Sequence, residues 1–359
     1  MSKTKNLATA FAILAAALYA MNIPFSKILL QQVEPAMMAA FLYLGAGIGL
    51  LVYSGVCHIL GRKTIQEPLT KKELPYTAAM VVLDIAAPIL LMYGIAGTNS
   101  ANASLLNNFE IVATSLIALF VFREVLSKRL WMAIVLVTAA SVILSFEGEG
   151  SFEFHSGSLL ILGACVCWGF ENNCTKMLSS KSSIEITTIK GCFSGIGSLI
   201  VAVLCGEHFP LPIFGAAAMV LGFVSYGLSI NFYILAQKNL GAAKTSAYYS
   251  IAPFLGVVFG MLIFGERPGI SFYAALLLMI VSTILMVKDT IALQHTHVHT
   301  HVHTHEHRHG DLVHTHEHVH EHSHTHVHGE DEENHRHNHE DLEEHHHSHL
   351  ESDCIYYKK

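Results

Sequence analysis

The chain has 359 residues, of which 52% are apolar and only 14% are charged. Soluble domains carry about a quarter charged residues, so this composition excludes an ordinary water-soluble protein. The formal net charge of −7 is uneven, because residues 1–290 hold 17 Lys and Arg against 14 Asp and Glu, whereas residues 291–359 hold 4 against 14. The negative charge therefore belongs to a polar tail on a mildly basic body, and nucleic acid is not an expected partner.

Ten apolar segments follow one another through the body of the chain. A helix needs about 20 apolar residues to cross the hydrocarbon layer, where only a helix satisfies its own backbone polar groups. The predicted spans are 7–28, 36–55, 77–96, 102–121, 130–146, 157–177, 184–204, 213–235, 243–263 and 270–287. The first segment is too long for a signal peptide and lacks a clear cleavage box. The sequence thus predicts an all-α membrane protein of ten transmembrane helices, with the lipid bilayer as its partner.

Basic residues lie mostly in alternate connections of these segments. One set of connections and termini holds fourteen Lys and Arg residues, whereas the opposite set holds Lys27 and Arg267. Lys and Arg are retained on the cytoplasmic side of a membrane. Both termini are therefore predicted to be cytoplasmic, which agrees with an even number of helices, in a multi-pass protein of the cell (inner) membrane.

The sequence repeats itself after about 140 to 150 residues. Residues 18–27 align with residues 167–176 through an aromatic, a small residue, an amide or acid, a hydroxyl and a lysine. Residues 101–124 align with residues 243–266, and both stretches end in Phe-x-Glu. An odd number of helices in each half makes the second half enter the membrane from the opposite side. We therefore predict two inverted-topology five-helix repeats, over residues 6–146 and 157–288.

These doubled motifs resemble the drug/metabolite transporter superfamily, in particular its EamA-type members, over about residues 6–288. The resemblance implies a secondary transporter, often an exporter, that moves amino acids or other small metabolites through a central cavity. Members of that family usually carry a proline midway along the fourth and ninth helices. Pro253 fits this pattern, whereas the first half has Glu110 and Ile111 at the matching place.

Four ionisable residues lie inside predicted spans, namely Asp84, Glu110, Glu171 and Lys190. An unpaired charge in a membrane is costly, so each residue is a candidate for function. Asp84 and Glu171 could bind a substrate amine, release a proton during transport, or pair with Lys190 to hold the bundle together. Lys190 could instead extend its aliphatic stem so that its ammonium reaches the headgroups.

Amides and aromatics accompany these charges at helical spacings. Asn107 and Glu110 are three residues apart, so they share a helix face that could meet a polar solute. Interhelical hydrogen bonding is the alternative role for such amides. The predicted substrate-binding residues are Tyr19, Asn22, Asp84, Asn107, Asn108, Glu110, Trp168, Glu171 and Tyr248.

The tail holds 23 of the 26 histidines, between residues 295 and 349, largely as His-x-His alternation mixed with Asp and Glu. This composition cannot form a core, so residues 291–359 are predicted to be a disordered metal-binding tail. Neutral imidazoles bind transition metals, and clustering raises their effective concentration. Transition-metal ions such as Zn, Ni or Co are the expected partners, although transport itself needs no cofactor. The predicted ligands are His295, His297, His299, His301, His303, His305, His314, His316, His318 and His320.

Three functions fit these features. The first is a carrier, with export the expected direction, of a small polar metabolite such as an amino acid, with a metal-binding cytoplasmic tail. The second is a divalent-metal (Zn, Ni or Co) transporter whose tail collects or senses the ion, and the third is a membrane-tethered metal store. No nucleophile and base constellation or phosphate-binding loop indicates an enzyme. The sequence does not decide whether two copies associate as a homodimer.

Overall fold

A computed structural model describes residues 2–59, 69–123, 126–146, 156–178, 181–240, 242–309 and 312–327. The elements described in the first half are all helical. Its elements are α1 (Ser2–Ala20), α2 (Asn22–Leu29), α3 (Pro35–Ile59), a 3₁₀ turn (Lys71–Glu73), α4 (Leu74–Ala96), α5 (Ser100–Leu106), α6 (Phe109–Phe122) and α7 (Lys128–Ser145).

The second half repeats this organisation with two helices that contain π-helical segments. Its elements are α8 (Ser156–Lys176), α9 (Ser183–Ile189), a π segment (Lys190–Ser194), α10 (Gly195–Leu204), α11 (Pro212–Gly222), a second π segment (Phe223–Leu228), α12 (Ser229–Leu240), α13 (Ala242–Tyr249), α14 (Ala252–Phe264) and α15 (Ile270–Leu293). Helices α9 and α10 run on through the first π segment, and α11 and α12 run on through the second.

Three predicted spans are interrupted near their middle. The break at Met21 lies three residues before Pro24, which lacks an N–H and crowds the carbonyl one turn earlier. The break before α14 likewise precedes Pro253. The α5–α6 break occurs without a proline, at Asn107 and Asn108, and asparagine is a residue type that disfavours a helix interior. The fourth span is therefore broken although it lacks the proline of the family pattern.

Over the described residues, nine helical stretches are long and apolar enough to cross a membrane. Large apolar side chains such as Ile270 (90% exposed) and Leu204 (81% exposed) lie on the outer surface of the bundle, as expected for contact with lipid. Helix α8 is not among the nine, because Glu171, Asn172 and Asn173 make its second half polar. A multi-pass all-helical body is thus confirmed, whereas ten spans are not confirmed by length and composition.

Contacts between the halves follow a twofold pattern. Helix α4 packs on α8 as α1 packs on α12, and α6 packs on α8 as α1 packs on α14. Helix α5 contacts α14, and α7 contacts α15. Helices that take equivalent places in these contacts are five spans apart in the chain, so the two halves contribute equivalent surfaces to the interface.

Glycines allow α3 to approach the second half closely. A Cβ at Gly222 would lie 1.9 Å from the carbonyl oxygen of Leu42, and one at Gly45 would lie 2.0 Å from the carbonyl oxygen of Met219. Helices in membranes associate through small residues because lipid offers no hydrophobic driving force. The α3–α11 contact is therefore a backbone contact that admits no side chain.

The tail differs from the predicted disorder. The structure places β1 (Gln294–His309) and β2 (Leu312–Val327) in an antiparallel pair, with His297 opposite His324 and His303 opposite His318. Alternation of His with Thr and Val has the two-residue period and the β-branched content of a strand. The disorder prediction is thus not confirmed for Gln294–Val327, and residues 328–359 lie outside the described part. The predicted metal ligands lie on β1 and β2, and metal binding stays a prediction.

Candidate functional site

A cavity of about 130 Å³ lies between the two halves of the bundle. Both halves contribute to its wall, through α1, α3 and α6 from the first and through α8 and both π-containing helices from the second. Its lining residues are Tyr19, Tyr43, Ala46, Glu110, Trp168, Glu171, Asn172, Thr187, Lys190, Gly191, Tyr226 and Ile230. The wall is thus polar and aromatic within an otherwise apolar bundle, which is typical of a ligand site.

Lys190 pairs with two carboxylates at this cavity. Its Nζ lies 3.2 Å from Oδ2 of Asp84 and 2.9 Å from Oε1 of Glu171. The Asp84 side chain is 0% exposed and that of Glu171 is 2% exposed. Tyr43 donates a hydrogen bond of 3.1 Å to Oδ1 of Asp84, and Thr175 donates one to Glu171. Because buried charges need partners, this cluster explains how two acids stay inside the bundle.

The two ion pairs of Lys190 show where its ammonium lies, which the sequence left open. Lys190 contacts Asp84 and Glu171, so its ammonium lies in the bundle instead of extending to the headgroups. Lys190 is also the first residue of a π segment. Such segments shift the side chains that follow around the helix axis and are frequent at functional sites. The second π segment carries Tyr226 into the same cavity.

Glu110 lines the same cavity as Lys190, but it is not one of the two carboxylates that pair with that ammonium. It is in the first turn of α6, where the helix dipole favours a negative charge. Asn172 donates a hydrogen bond of 2.7 Å to Oε1 of Glu110 and one of 3.2 Å to the Thr114 hydroxyl. The break at Asn107 and Asn108 makes α6 begin in the middle of the span. The Glu110 carboxylate therefore lies at a helix N-terminus that faces the cavity.

Tyrosine rings form much of the cavity wall. Tyr19 meets Tyr226 edge to face, with ring centroids 6.0 Å apart, and it contacts Tyr249 at 5.7 Å. Tyr43 also contacts Tyr226, at 5.5 Å. The Tyr226 hydroxyl accepts a hydrogen bond of 2.8 Å from Asn22. These contacts order a set of aromatic faces around the carboxylates.

Tyr19 separates the main cavity from a second, smaller one. The smaller cavity has a volume of about 20 Å³, roughly enough for a single water. Its lining residues are Tyr19, Ala20, Asn22, Ile23, Leu91, Ser104, Asn107, Ala252, Pro253 and Gly256. The Oδ1 atom of Asn107 is buried without a hydrogen-bond partner. Tyr19 thus lines both cavities, and polar groups are present on each side of its ring. The far end of the bundle lies beyond the smaller cavity.

At that far end, two carboxylates of the second half cap helices of the first half. We call it the outer end, and it contains residues 30–34, 97–99, 205–211 and 265–269. Glu207 accepts hydrogen bonds from the N–H groups of Ala36 (3.0 Å) and Met37 (2.7 Å), at the start of α3. Glu266 accepts them from Ser100 (2.8 Å) and Ala101 (2.9 Å), at the start of α5. These caps hold the two halves together beyond the cavities.

The structure brings most of the predicted residues together. Tyr19, Glu110, Trp168 and Glu171 line the main cavity, and Tyr19, Asn22 and Asn107 line the smaller one. Asp84 joins through Lys190. Asn108 is buried but lines neither cavity.

Tyr248 differs from its prediction, because it is 38% exposed and lines neither cavity. Its neighbour Tyr249 contacts Tyr19 instead. Both tyrosines lie in α13, and adjacent residues on a helix point about 100° apart, so the choice between them depends on how α13 is rotated about its axis. The predicted set also omitted Tyr43, Asn172, Lys190 and Tyr226. Tyr43 and Tyr226 are polar residues in long apolar segments, and that signal could have indicated them.

The fold and this site define a class, namely a polytopic membrane transporter with a polar cavity between two similar halves. The chain matches the model of the EamA-like transporter family twice, over residues 6–146 and 155–288. It therefore belongs to the EamA-like transporter family, as the motifs indicated.

Two relatives and one solved structure illustrate this membership. An uncharacterized transporter of Methanothermobacter thermautotrophicus is 26% identical over 268 residues, which cover 71% of this chain and 78% of that protein. An uncharacterized transporter of Clostridium kluyveri is 25% identical over 237 residues, which cover 60% of this chain and 73% of that protein. A crystal structure with 16% sequence identity has a TM-score of 0.56 and covers 78% of this chain and 95% of its own chain, so it shares the fold.

Proposed function

We propose that the protein is a secondary carrier that exports a small polar metabolite, such as an amino acid, through alternating access of the main cavity. The observation that carries this proposal is the position of the cavity, between two halves that each match the family model. A site at the interface of two repeats can be exposed on either side when the halves rock against each other.

The contacts at the outer end support one state of such a cycle. Glu207 and Glu266 join the halves there, beyond the smaller cavity. The main cavity lies on the other side of Tyr19 and is partly open. With the outer end facing away from the cytoplasm, as the distribution of Lys and Arg favours, this arrangement corresponds to an inward-facing state. Both termini are then cytoplasmic, and the protein lies in the cell membrane. Helix α8 is the sixth span in chain order and brings the total to ten.

A metal carrier is the second candidate, and the described body offers it less support. A transition metal in transit would need several His, Cys, Asp or Glu donors around one point. Among the described residues, no group of three or more such side chains is placed to hold an ion. We propose that the tail binds metal ions in the cytoplasm, and that the solute transported through the cavity is not one of these ions.

A cavity-filling variant tests the carrier proposal. Ala46 lines the main cavity, so Ala46→Phe should block the solute without removing a charge. Ala139 is exposed on α7, and Ala139→Phe is the matched control for the added volume. We expect the full chain in proteoliposomes to exchange at least one solute of a labelled amino-acid and amine panel, with exchange lost only in Ala46→Phe. Equal exchange by both variants, or metal flux that persists in Ala46→Phe, would overturn the proposal.

A further inference from the structure

Acidic side chains outnumber basic ones in and around the main cavity. Asp84, Glu171 and Glu110 supply three carboxylates, whereas Lys190 supplies one ammonium. That ammonium lies between Asp84 and Glu171 at 3.2 and 2.9 Å. Within the described residues, no Lys, Arg or His nitrogen lies within 4.0 Å of the Glu110 carboxylate. The unbalanced acid that faces the cavity is therefore Glu110.

The protein holds Glu110 with a neutral donor. Asn172 bonds to Oε1 at 2.7 Å, which orients the carboxylate without neutralising it. A carboxylate in a low-dielectric cavity is stabilised by a cation that approaches its free oxygen. The electrostatics of the cavity thus favour a solute that carries a positive charge.

The wall around Glu110 favours an organic cation over a small hydrated ion. Tyr19, Trp168 and Tyr226 line the same cavity. Aromatic faces attract ammonium groups that lie within about 6 Å of the ring centroid, and they also cover apolar groups attached to the ammonium. A bare metal ion would gain little from such a wall.

The same geometry disfavours a zwitterion. The carboxylate of an amino acid needs a cation, and Lys190 is the one cationic residue among the described lining residues. Both acids of its cluster already contact it. A solute carboxylate would meet an ammonium whose charge two buried carboxylates already share, so Lys190 would attract it only weakly.

We propose that the transported solute is a monovalent organic amine without a carboxylate, whose ammonium binds Glu110 and whose apolar part packs on the aromatic wall. This inference rests on the proposed carrier function, and it narrows the substrate class from small polar metabolites to amines, which excludes the amino acids named as an example. Glu110 gives the charge selectivity, and the Lys190 cluster closes the site to anions.

Three matched probes test the inference with the purified full chain in detergent at neutral pH. Phenethylamine has only the ammonium, phenylalanine has both charges, and phenylpropanoate has only the carboxylate. Calorimetric titration should give phenethylamine a dissociation constant at least about tenfold lower than those of the other probes, as expected for one charge-assisted contact.

Two variants locate the contact. Glu110→Gln should weaken phenethylamine binding about tenfold, because one charge-assisted contact is lost. Glu73→Gln, which changes a carboxylate in the 3₁₀ turn outside the cavity, should leave binding unchanged. Unfolding curves that match the unchanged chain would show that Glu110→Gln remains folded, and Glu110→Asp should restore part of the binding.

Phenylalanine or phenylpropanoate binding as tightly as phenethylamine would overturn the inference. Phenethylamine binding that is absent, or that Glu110→Gln leaves intact, would also overturn it. Neither result would refute the carrier function. If the protein exchanged an amino acid and Ala46→Phe abolished that exchange, it would still be a carrier, with a different substrate class. Loss of all exchange in the panel would instead refute the carrier function itself.

Discussion

Removal of the Lys190 ammonium should destabilise the protein strongly. Its Nζ is within 3.2 Å of both Asp84 and Glu171, whose side chains are 0% and 2% exposed. Lys190→Met keeps a side chain of similar length but leaves two buried carboxylates without a cation. Breaking a buried ion pair by removing one partner costs about 3–5 kcal/mol. We therefore expect the free energy of unfolding to fall by about that amount.

Unfolding by sodium dodecyl sulfate in mixed micelles, followed by circular dichroism, measures this loss. Neutralising the two acids as well, in Lys190→Met/Asp84→Asn/Glu171→Gln, should recover most of the stability, because the unpaired charges are then gone. Lys288→Met removes an exposed lysine from α15 and serves as the matched control, with an expected change below about 0.5 kcal/mol. A loss in Lys190→Met no larger than in Lys288→Met, or no recovery in the triple variant, would refute the reasoning.

Other predictions follow from the outer end, the glycine contact and the tail. Glu266→Gln replaces one of two acceptor oxygens by an NH2 group, so one hydrogen bond to the start of α5 is lost and the other is no longer charge-assisted. The closed outer end should lose about 1 kcal/mol, which distances between spin labels would report as an approximately fivefold rise in the open form. Unchanged distances would contradict this role. Gly222→Ala should lower the free energy of unfolding by about 1–3 kcal/mol, because the added Cβ meets the backbone of Leu42. Gly55→Ala is the control and should leave it unchanged, since no atom lies within 4 Å of the added Cβ. Equal unfolding curves for the two variants would contradict this prediction. Deletion of residues 291–359 should abolish calorimetric Zn, Ni and Co binding but leave solute exchange intact, and metal binding by the truncated chain would place the metal site elsewhere.

The membrane body could be predicted from sequence because its signal is long and repeated. Apolar segments of about 20 residues and two aligned motifs indicated the helical body and the family, which the family match confirms. The exception is α8, where Glu171, Asn172 and Asn173 lower the apolar signal. Two of the residues that make α8 poorly visible as a span, Glu171 and Asn172, line the main cavity.

The cavity itself was only partly predictable. Tyr19, Glu110 and Trp168 were identified because polar and aromatic groups in apolar helices need a reason to be there. The choice between Tyr248 and Tyr249 depends on how α13 is rotated about its axis. The partners of Lys190 depend on tertiary packing. Neither can be read from local spacing.

The central claim is that the main cavity opens alternately to the two sides of the membrane. A cysteine at Ala46, in a chain whose seven native cysteines are replaced, reports access to that cavity. A membrane-impermeant thiol reagent should label Ala46→Cys from the cytoplasmic side at rest, and from the opposite side once a transported solute is added or Glu266→Gln is introduced. Labelling confined to one side under every condition would contradict alternating access.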